Sequence, residues 1–384
     1  MPRKKKSDIE FTDPVTAIVD AFNDTKDEIR CVSLGEAHRV DKALSTGSLI
    51  ADLKLGGGFQ CGRLVHIYGP EASGKSTFLQ ACAISGQKLD IPIVHYDTEH
   101  SADPVYMRTQ GLDIHKTIEI NGKNVPAYFY AQPETGEGVY KHLHRFLRRL
   151  PDVNLHDINK PSCLILLDSV AAMFSKSRDV ETGEGAAGLE ARMHSRFLGV
   201  TKSLLAHKGA IMIASNQIRM NINMRMPGAN PEAPTGGQAW KYYPDYAIRV
   251  HGRKKAEEDK VGMYRQHVWV RTIKNKTFPA FQEFELDIIM GKGIDKAQDG
   301  LDFLEAIGMV ERKQGKNKIL LKKFFTDKYL AWDAFRKVAE SDEFRNYCFS
   351  LLKKDAVYRR HFKLLGYKNY ALDGTDDSVE VEGE

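Results

Sequence analysis

Residues 64–77 read Leu-Val-His-Ile-Tyr-Gly-Pro-Glu-Ala-Ser-Gly-Lys-Ser-Thr. The apolar run 64–68 predicts a buried strand, and 77–85 predicts a helix. Between them lie Gly69, Pro70, Glu71, Ala72, Ser73, Gly74, Lys75 and Ser76, with Thr77 opening the helix. Glycines at both ends of such a loop let backbone N–H groups and a helix N-terminus surround phosphates. Lys75 is placed to reach the terminal phosphates, and the Ser76 hydroxyl to coordinate magnesium. The segment predicts a site for a nucleoside triphosphate.

Outward from this loop, residues 91–96, 163–167 and 210–214 are further apolar runs separated by helix-length segments. Runs apolar on both faces predict a parallel sheet covered by helices. The run 163–167 ends in Asp168, where a magnesium-binding carboxylate belongs. Glu99 follows the 91–96 strand, so it points into the crevice where ligands of such sheets bind and can activate water. Closely spaced strands at 246–251, 266–273 and 281–289 predict antiparallel pairs. The expected fold is an α/β P-loop ATPase core with a mostly parallel central sheet flanked by helices.

At the start, residues 1–10 read as a basic leader. Val15, Ile18, Val19 and Phe22 follow helical spacing over 13–30, with Asp13 as cap and Pro14 in the first turn. A short strand is expected at 31–34. The division predicted is an N-terminal oligomerisation arm at 1–45, the core at 46–298, a basic C-terminal α/β domain at 299–372 and an acidic tail at 373–384. Residues 311–370 hold 16 Lys/Arg against 7 Asp/Glu, and 373–384 hold six acids and no base. Such a pair suits a polyanion-binding surface with an attached competitor, or equally a solvated helical face with a disordered tail.

In bulk, the 384 residues are 42% hydrophobic and 28% charged, with a net charge of +5, which suits a soluble globular protein. No apolar stretch reaches the roughly 18 residues of a membrane span, so no membrane partner is expected. Met-Pro-Arg-Lys-Lys-Lys is no secretory signal. The cysteines at 31, 61, 82, 163 and 348 are scattered, which fits a cytoplasmic location and supports neither a disulfide framework nor a zinc site.

Several phrases together resemble the bacterial RecA recombinase family, in that family's order and over roughly residues 13–340. They are Leu44-Ser-Thr-Gly-Ser, Gly56-Gly-Gly, Gly62-Arg, the 67–75 loop, Asp97-Thr-Glu-His-Ser-Ala-Asp-Pro, Leu167-Asp-Ser-Val-Ala-Ala, Asn216-Gln-Ile-Arg-Met, Thr235-Gly-Gly and Lys274-Asn-Lys. Divergent connecting segments mark a distant member, of a kind a phage could encode. The resemblance implies a DNA-dependent ATPase using ATP and Mg2+. Lys75, Ser76 and Asp168 match phosphate and magnesium ligands, and Glu99 matches the glutamate that activates water. Asp103 and Tyr106 match the positions that hydrogen-bond and stack on adenine. Gln217 matches a γ-phosphate sensor, and Lys274 and Lys276 match paired lysines that reach a neighbouring protomer's ATP. Met290 stands where the family closes the other adenine face with an aromatic, and Tyr242 where an aromatic couples ATP to the interface.

Two stretches resemble DNA-binding loops. Residues 175–188 lead into a helix bearing Arg192 and Arg196. Residues 218–238, expected to lack regular structure, carry Arg219, Met220, Ile222, Arg225, Thr235, Gly236, Gly237 and Gln238, suited to clasping phosphates and wedging between bases. The function implied is homologous recombination by a helical filament on single-stranded DNA that pairs it with homologous duplex. Single-strand-binding and loader proteins are further partners. The sequence leaves open a ring-forming helicase, a DNA-coating protein that uses ATP as an assembly switch, and an ATPase that does not act on DNA.

Overall fold

The computed structural model describes residues 43–120, 122–153, 155, 158–176, 188–220, 232–252, 257–258, 262–313, 316–320, 323–325 and 331–352. The helix and strand expected at 13–34 and the tail at 373–384 lie outside them. The main sheet contains β1 (Leu64–Gly69), β2 (Ile93–Asp97), β3 (Tyr128–Ala131), β4 (Leu164–Asp168) and β5 (Ile211–Met220). It continues with β6 (Tyr246–Gly252), β7 (Tyr264–Asn275), β8 (Glu283–Ile289) and β9 (Gly293–Ile294). Their order across the sheet is β9-β8-β7-β6-β1-β5-β4-β2-β3. From β6 to β3 every pairing is parallel, and β7, β8 and β9 are added antiparallel. The chain therefore has the expected α/β architecture.

Period-two alternation explains why the central strands are apolar throughout. Val65, Ile67, Ile93, Leu164, Leu166, Ile211 and Ile213 enter one core, and Leu64, Val94, Tyr96, Ile165, Leu167 and Met212 enter the other. The first core is covered by α1 (Leu49–Leu55) and α2 (Lys75–Lys88). After the short helix α3 (Pro104–Thr109) come α4 (Gly136–Arg149) and α5 (Leu189–Lys208), which cover the second.

Three features differ from the expectation. Strand β5 does not stop at residue 214 but runs to Met220, because Glu232–Pro234 folds back and pairs with residues 218–220. The two ends of the stretch expected to be irregular thus form a hairpin. Tyr128–Ala131 is an additional parallel edge strand, and Thr117–Ile120 with Lys123–Pro126 forms a separate hairpin. Both escape an apolar-run criterion because they are largely solvent-facing.

Beyond α6 (Ala239–Tyr242), helix α7 (Lys296–Ala306) runs without a break through residues 297–300, where a domain boundary was expected. Its Leu301, Phe303 and Leu304 share the core of α1 and α2. The helices α8 (Trp332–Ala339) and α9 (Asp342–Leu351) follow, and Phe335, Phe344 and Leu351 join the same core. Asp299 on α7 ties these parts together. Its carboxylate accepts from the Ser48 hydroxyl and the Leu49 and Ile50 N–H groups at the start of α1, and from Arg345 on α9 at 2.9 Å. Asp299 and Arg345 are each 4% exposed. Removing one partner of such a pair leaves a buried charge and orphaned helix donors. Asp299→Ala is expected to cost about 3–5 kcal/mol, read as a lowered urea midpoint.

Candidate active site

Residues 69–76 turn from β1 into α2. Gly69 lies so close to β6 that a Cβ on it would stand 2.0 Å from the Val250 carbonyl oxygen, so only glycine fits. Gly74 caps α2 in the left-handed region at φ +88°. The first intrahelical bond runs from Phe78 N–H to the Gly74 carbonyl, which leaves the N–H groups of Lys75, Ser76 and Thr77 ahead of the ladder. Together with the helix dipole they could hold an anion. Ser73 Oγ donates to the Pro70 carbonyl at 2.8 Å, and Gln266 on β7 donates to the Ala72 carbonyl at 2.7 Å. The loop is thus braced from inside and from the neighbouring strand. Lys75 is buried, and its Nζ donates to the carbonyls of Gly69 and Pro70. Burial pulls its ammonium below the usual lysine value, opposed by Asp168, Glu99 and Glu71. Glu71, Ala72 and Ser76 are exposed.

The carboxyl ends of β2, β4 and β5 lie beside this loop. Asp168 ends β4, and its Oδ1 accepts from Ser215 on β5. Glu99 follows β2, and its Oε1 accepts from the Ser169 hydroxyl and, at 3.3 Å, from Gln217 Nε2 on β5. The N–H groups of Thr98 and Glu99 reach the Asp168 carbonyl at 2.8 and 3.4 Å. Parallel register brings Gln217 opposite Gly69 and Asp97 opposite Asp168, so residues far apart in the chain share one edge. A single carboxylate, Glu99, is therefore bonded to the ends of two neighbouring strands. Ser169, Ser215 and Gln266 were not singled out from the sequence. Ser169 adjoins Asp168 in the quoted phrase, whereas Gln266 is brought in only by tertiary pairing.

Gln217 opens the 218–234 hairpin, and Asn216 beside it is fully buried. Asn216 donates to the Thr235 carbonyl at 2.9 Å and accepts from the Thr235 hydroxyl and from Gln217 N–H. It also contacts His66 Nε2 at 3.0 Å. His66 packs on Trp240, and Trp240 on His194 of α5. Gly237 approaches Ala191 so closely that a Cβ would lie 2.5 Å from the alanine methyl. The far end of the second loop therefore abuts the helix that follows the first. Arg192 and Arg196 are exposed on that helix, Arg219, Gly237 and Gln238 are exposed, and Thr235 and Gly236 are half-buried. Ile222, Arg225 and most of 175–188 lie outside the described residues.

Asp103 caps α3, accepting from the Val105 and Tyr106 N–H groups at 2.7 and 3.1 Å. Tyr106 is half-exposed on that helix, and Met290 is exposed beside β9. Lys274 and Lys276 stand apart from all of these. They lie at the end of β7 that pairs with the start of β6, level with the beginning of β1. That is the opposite end of β1 from Gly69, roughly 17 Å along the strand. Lys274 donates to the Tyr242 carbonyl at 2.8 Å, and Lys276 lies 3.4 Å from Asp245. Asp245 is fully buried and also meets Lys202 at 2.9 Å and Arg63 at 3.6 Å. Burial raises its carboxyl, but Lys202, the Leu64 N–H and Arg63 together outweigh that and leave it lowered. Burial, then the charges of Lys276 and Lys202, pull Lys274 down.

A profile of the RecA N-terminal domain matches residues 21–295. The chain belongs to the RecA family. It is 33% identical over 282 residues to Protein RecA of Rippkaea orientalis, spanning 73% of this chain and 74% of that one. It is 31% identical over 311 residues to Protein RecA of Clostridioides difficile, spanning 77% and 82%. Among solved structures it is similar to a crystal structure of the RadB recombinase, with a TM-score of 0.46 and 22% identity over 65% of this chain and 98% of that one. None of the described helices is long and apolar enough to cross a membrane.

The buried histidines of this RecA-family chain make its stability depend on pH. Burial holds His66 down to about 3 and His194 to about 4, below the ordinary 6.5. The unfolded chain therefore binds more protons below pH 6.5. This contribution is full above 6.5 and is lost as pH falls toward 4 for His194 and toward 3 for His66, by up to about 1.4 kcal/mol per pH unit for each histidine. Urea midpoints between pH 7.5 and 4.5 are expected to fall accordingly, and more shallowly in His194→Gln.

Proposed function

We propose that this chain is a DNA-dependent ATPase that assembles as a filament on single-stranded DNA and pairs it with homologous duplex. What carries the reading is the bond between Glu99 and Gln217. It joins the group best placed to take a proton from water to the first residue of the hairpin that enters the second DNA loop. A change at the nucleotide can then reach DNA through Gln217, Asn216 and Thr235, and DNA can report back along the same bonds.

The residues present fit ATP with magnesium. A loop closed against β6 at Gly69, free N–H groups at the start of α2 and a buried lysine satisfied only by its own loop form a donor set for phosphate oxygens. Magnesium keeps several waters and takes few protein ligands, so the Ser76 hydroxyl and Asp168 suffice. It would supply charge neutralisation on the phosphates. In hydrolysis Lys75 exchanges the loop carbonyls for phosphate oxygens. Glu99 accepts the proton of the attacking water as its oxygen bonds to the γ-phosphorus. The bond from that phosphorus to the bridging oxygen breaks, and ADP leaves with the electron pair. In this reading Asp103, Tyr106 and Met290 take the base.

Lys274 and Lys276 cannot serve their own chain's site from the far end of the sheet. In this reading they complete the site of the next protomer, where two cations stabilise charge on the transferred phosphoryl group. The arm at 1–45 links protomers, Arg192, Arg196 and the 218–238 loop hold single-stranded DNA, and the basic module at 299–372 gathers duplex against the competing tail at 373–384.

Wild type is expected to exchange strands between homologous substrates, and Lys75→Ala to fail. Glu99→Gln should lower DNA-stimulated phosphate release by about 10²–10⁴-fold. Wild type inactive on homologous DNA, or closed rings instead of filaments by electron microscopy, would sink the recombinase reading. Mixing Glu99→Gln with a Lys274→Ala, Lys276→Ala double variant should restore ATPase well above the sum of the two alone, because mixed interfaces contain one intact half from each. Simple additivity would place the lysines outside the neighbour's site.

A further inference from the structure

Glu99 sits on a turn that does not hold itself. His100, the next residue, is in the left-handed region at φ +54°, which a side chain other than glycine adopts only under restraint. The restraint comes from Asp97, the last residue of β2, which is 1% exposed. Its Oδ1 accepts from the Glu99 N–H at 3.1 Å, and its Oδ2 accepts from the Ala102 N–H at 2.9 Å. One carboxylate thus grips the turn on both sides of His100. Its Oδ2 has a further donor, the Tyr130 hydroxyl on β3, at 2.7 Å. The Tyr130 ring stands edge-on to His95 with centroids 5.6 Å apart, and Gln132 also bonds the hydroxyl.

We propose that Tyr130 is a positioning residue for Glu99, acting from the outermost strand of the main sheet. Its hydroxyl fixes the rotamer of Asp97, and Asp97 fixes the backbone that aims Glu99 between Ser169 and Gln217. Tyr130 touches neither Glu99 nor the 69–76 loop in any bond described above, so its route to Glu99 is the Asp97 carboxylate. A base misplaced by an ångström or less loses much of its advantage, whereas phosphate binding at 69–76 does not depend on this turn. The inference rests on the reading of Glu99 as the group that accepts the water's proton.

Tyr130→Phe removes the hydroxyl and keeps the ring against His95. With the full chain, single-stranded DNA and ATP, kcat is expected to fall about tenfold, a part of the roughly 10²–10⁴-fold a positioned base contributes. Any rise in the KM for ATP, transmitted from Ala102 to Asp103 and Tyr106, should stay well below the fall in kcat. In the Glu99→Gln background the same substitution should cause no further loss, because its only route to the chemistry is gone. A wild-type kcat in Tyr130→Phe overturns the proposal, as does a rise in KM that accounts for the loss. Losses that multiply in the double variant also overturn it, by showing a route other than Glu99. If Glu99→Gln keeps the wild-type rate, the reading of Glu99 fails and takes this inference with it. A normal Tyr130→Phe beside an inactive Glu99→Gln removes this inference alone.

Discussion

Parallel pairing of β1 with β5, β5 with β4 and β4 with β2 forces four strands to end on the same side of the sheet. Backbone donors and acceptors lose their ladder partners at those ends, and polar side chains can gather there without entering either core. Gly69 lies opposite Gln217 and Asp97 opposite Asp168 at those ends, and Glu99 follows two residues after Asp97. The Ser169 hydroxyl donates to Glu99 and the Ser215 hydroxyl to Asp168, so each carboxylate has a donor at this edge. A shift of one residue in any of these pairings would turn the polar ends into the core.

The other side of the sheet has a different electrostatic character. There a single buried carboxylate, Asp245, is surrounded by Arg63, Lys202 and Lys276, with Lys274 close by. An isolated buried carboxylate would be costly, and three cations with the Leu64 N–H offset that cost. The excess positive charge remains directed outward through the half-exposed lysines. The protein therefore carries a carboxylate-lined edge and a cationic edge, separated by the length of a strand.

Much of this was legible in the sequence because it is local. The 64–77 segment contains its own strand, loop and helix start, and the apolar runs at β2, β4 and β5 are buried on both faces. The hairpin at 218–234 was not legible even though Ile218 and Met220 alternate with Gln217 and Arg219, because its return strand Glu232–Pro234 carries no strand signal and its formation depends on β5 extending beyond the core. Edge strand β3 was missed for a related reason: Tyr128-Phe129-Tyr130 is partly exposed and its aromatic character reflects hydrogen bonding as much as burial. Gln266, Asp245 and Asp299 act through partners roughly 180 to 250 residues away, and no spacing rule reaches that far. Asp103 reads as a ligand by resemblance, while its local geometry is that of a helix cap.

The distance between Lys276 and the 69–76 loop has a consequence for any assembly built head to tail. In the proposed assembly each interior protomer would lend its lysines in one direction and receive a neighbour's from the other. The two terminal subunits are then chemically unlike. One holds a phosphate loop that no lysine pair completes, and the other holds a lysine pair with nothing to complete. Under that proposal a polymer of identical chains would have distinguishable ends, and its length would set what fraction of its sites can turn over.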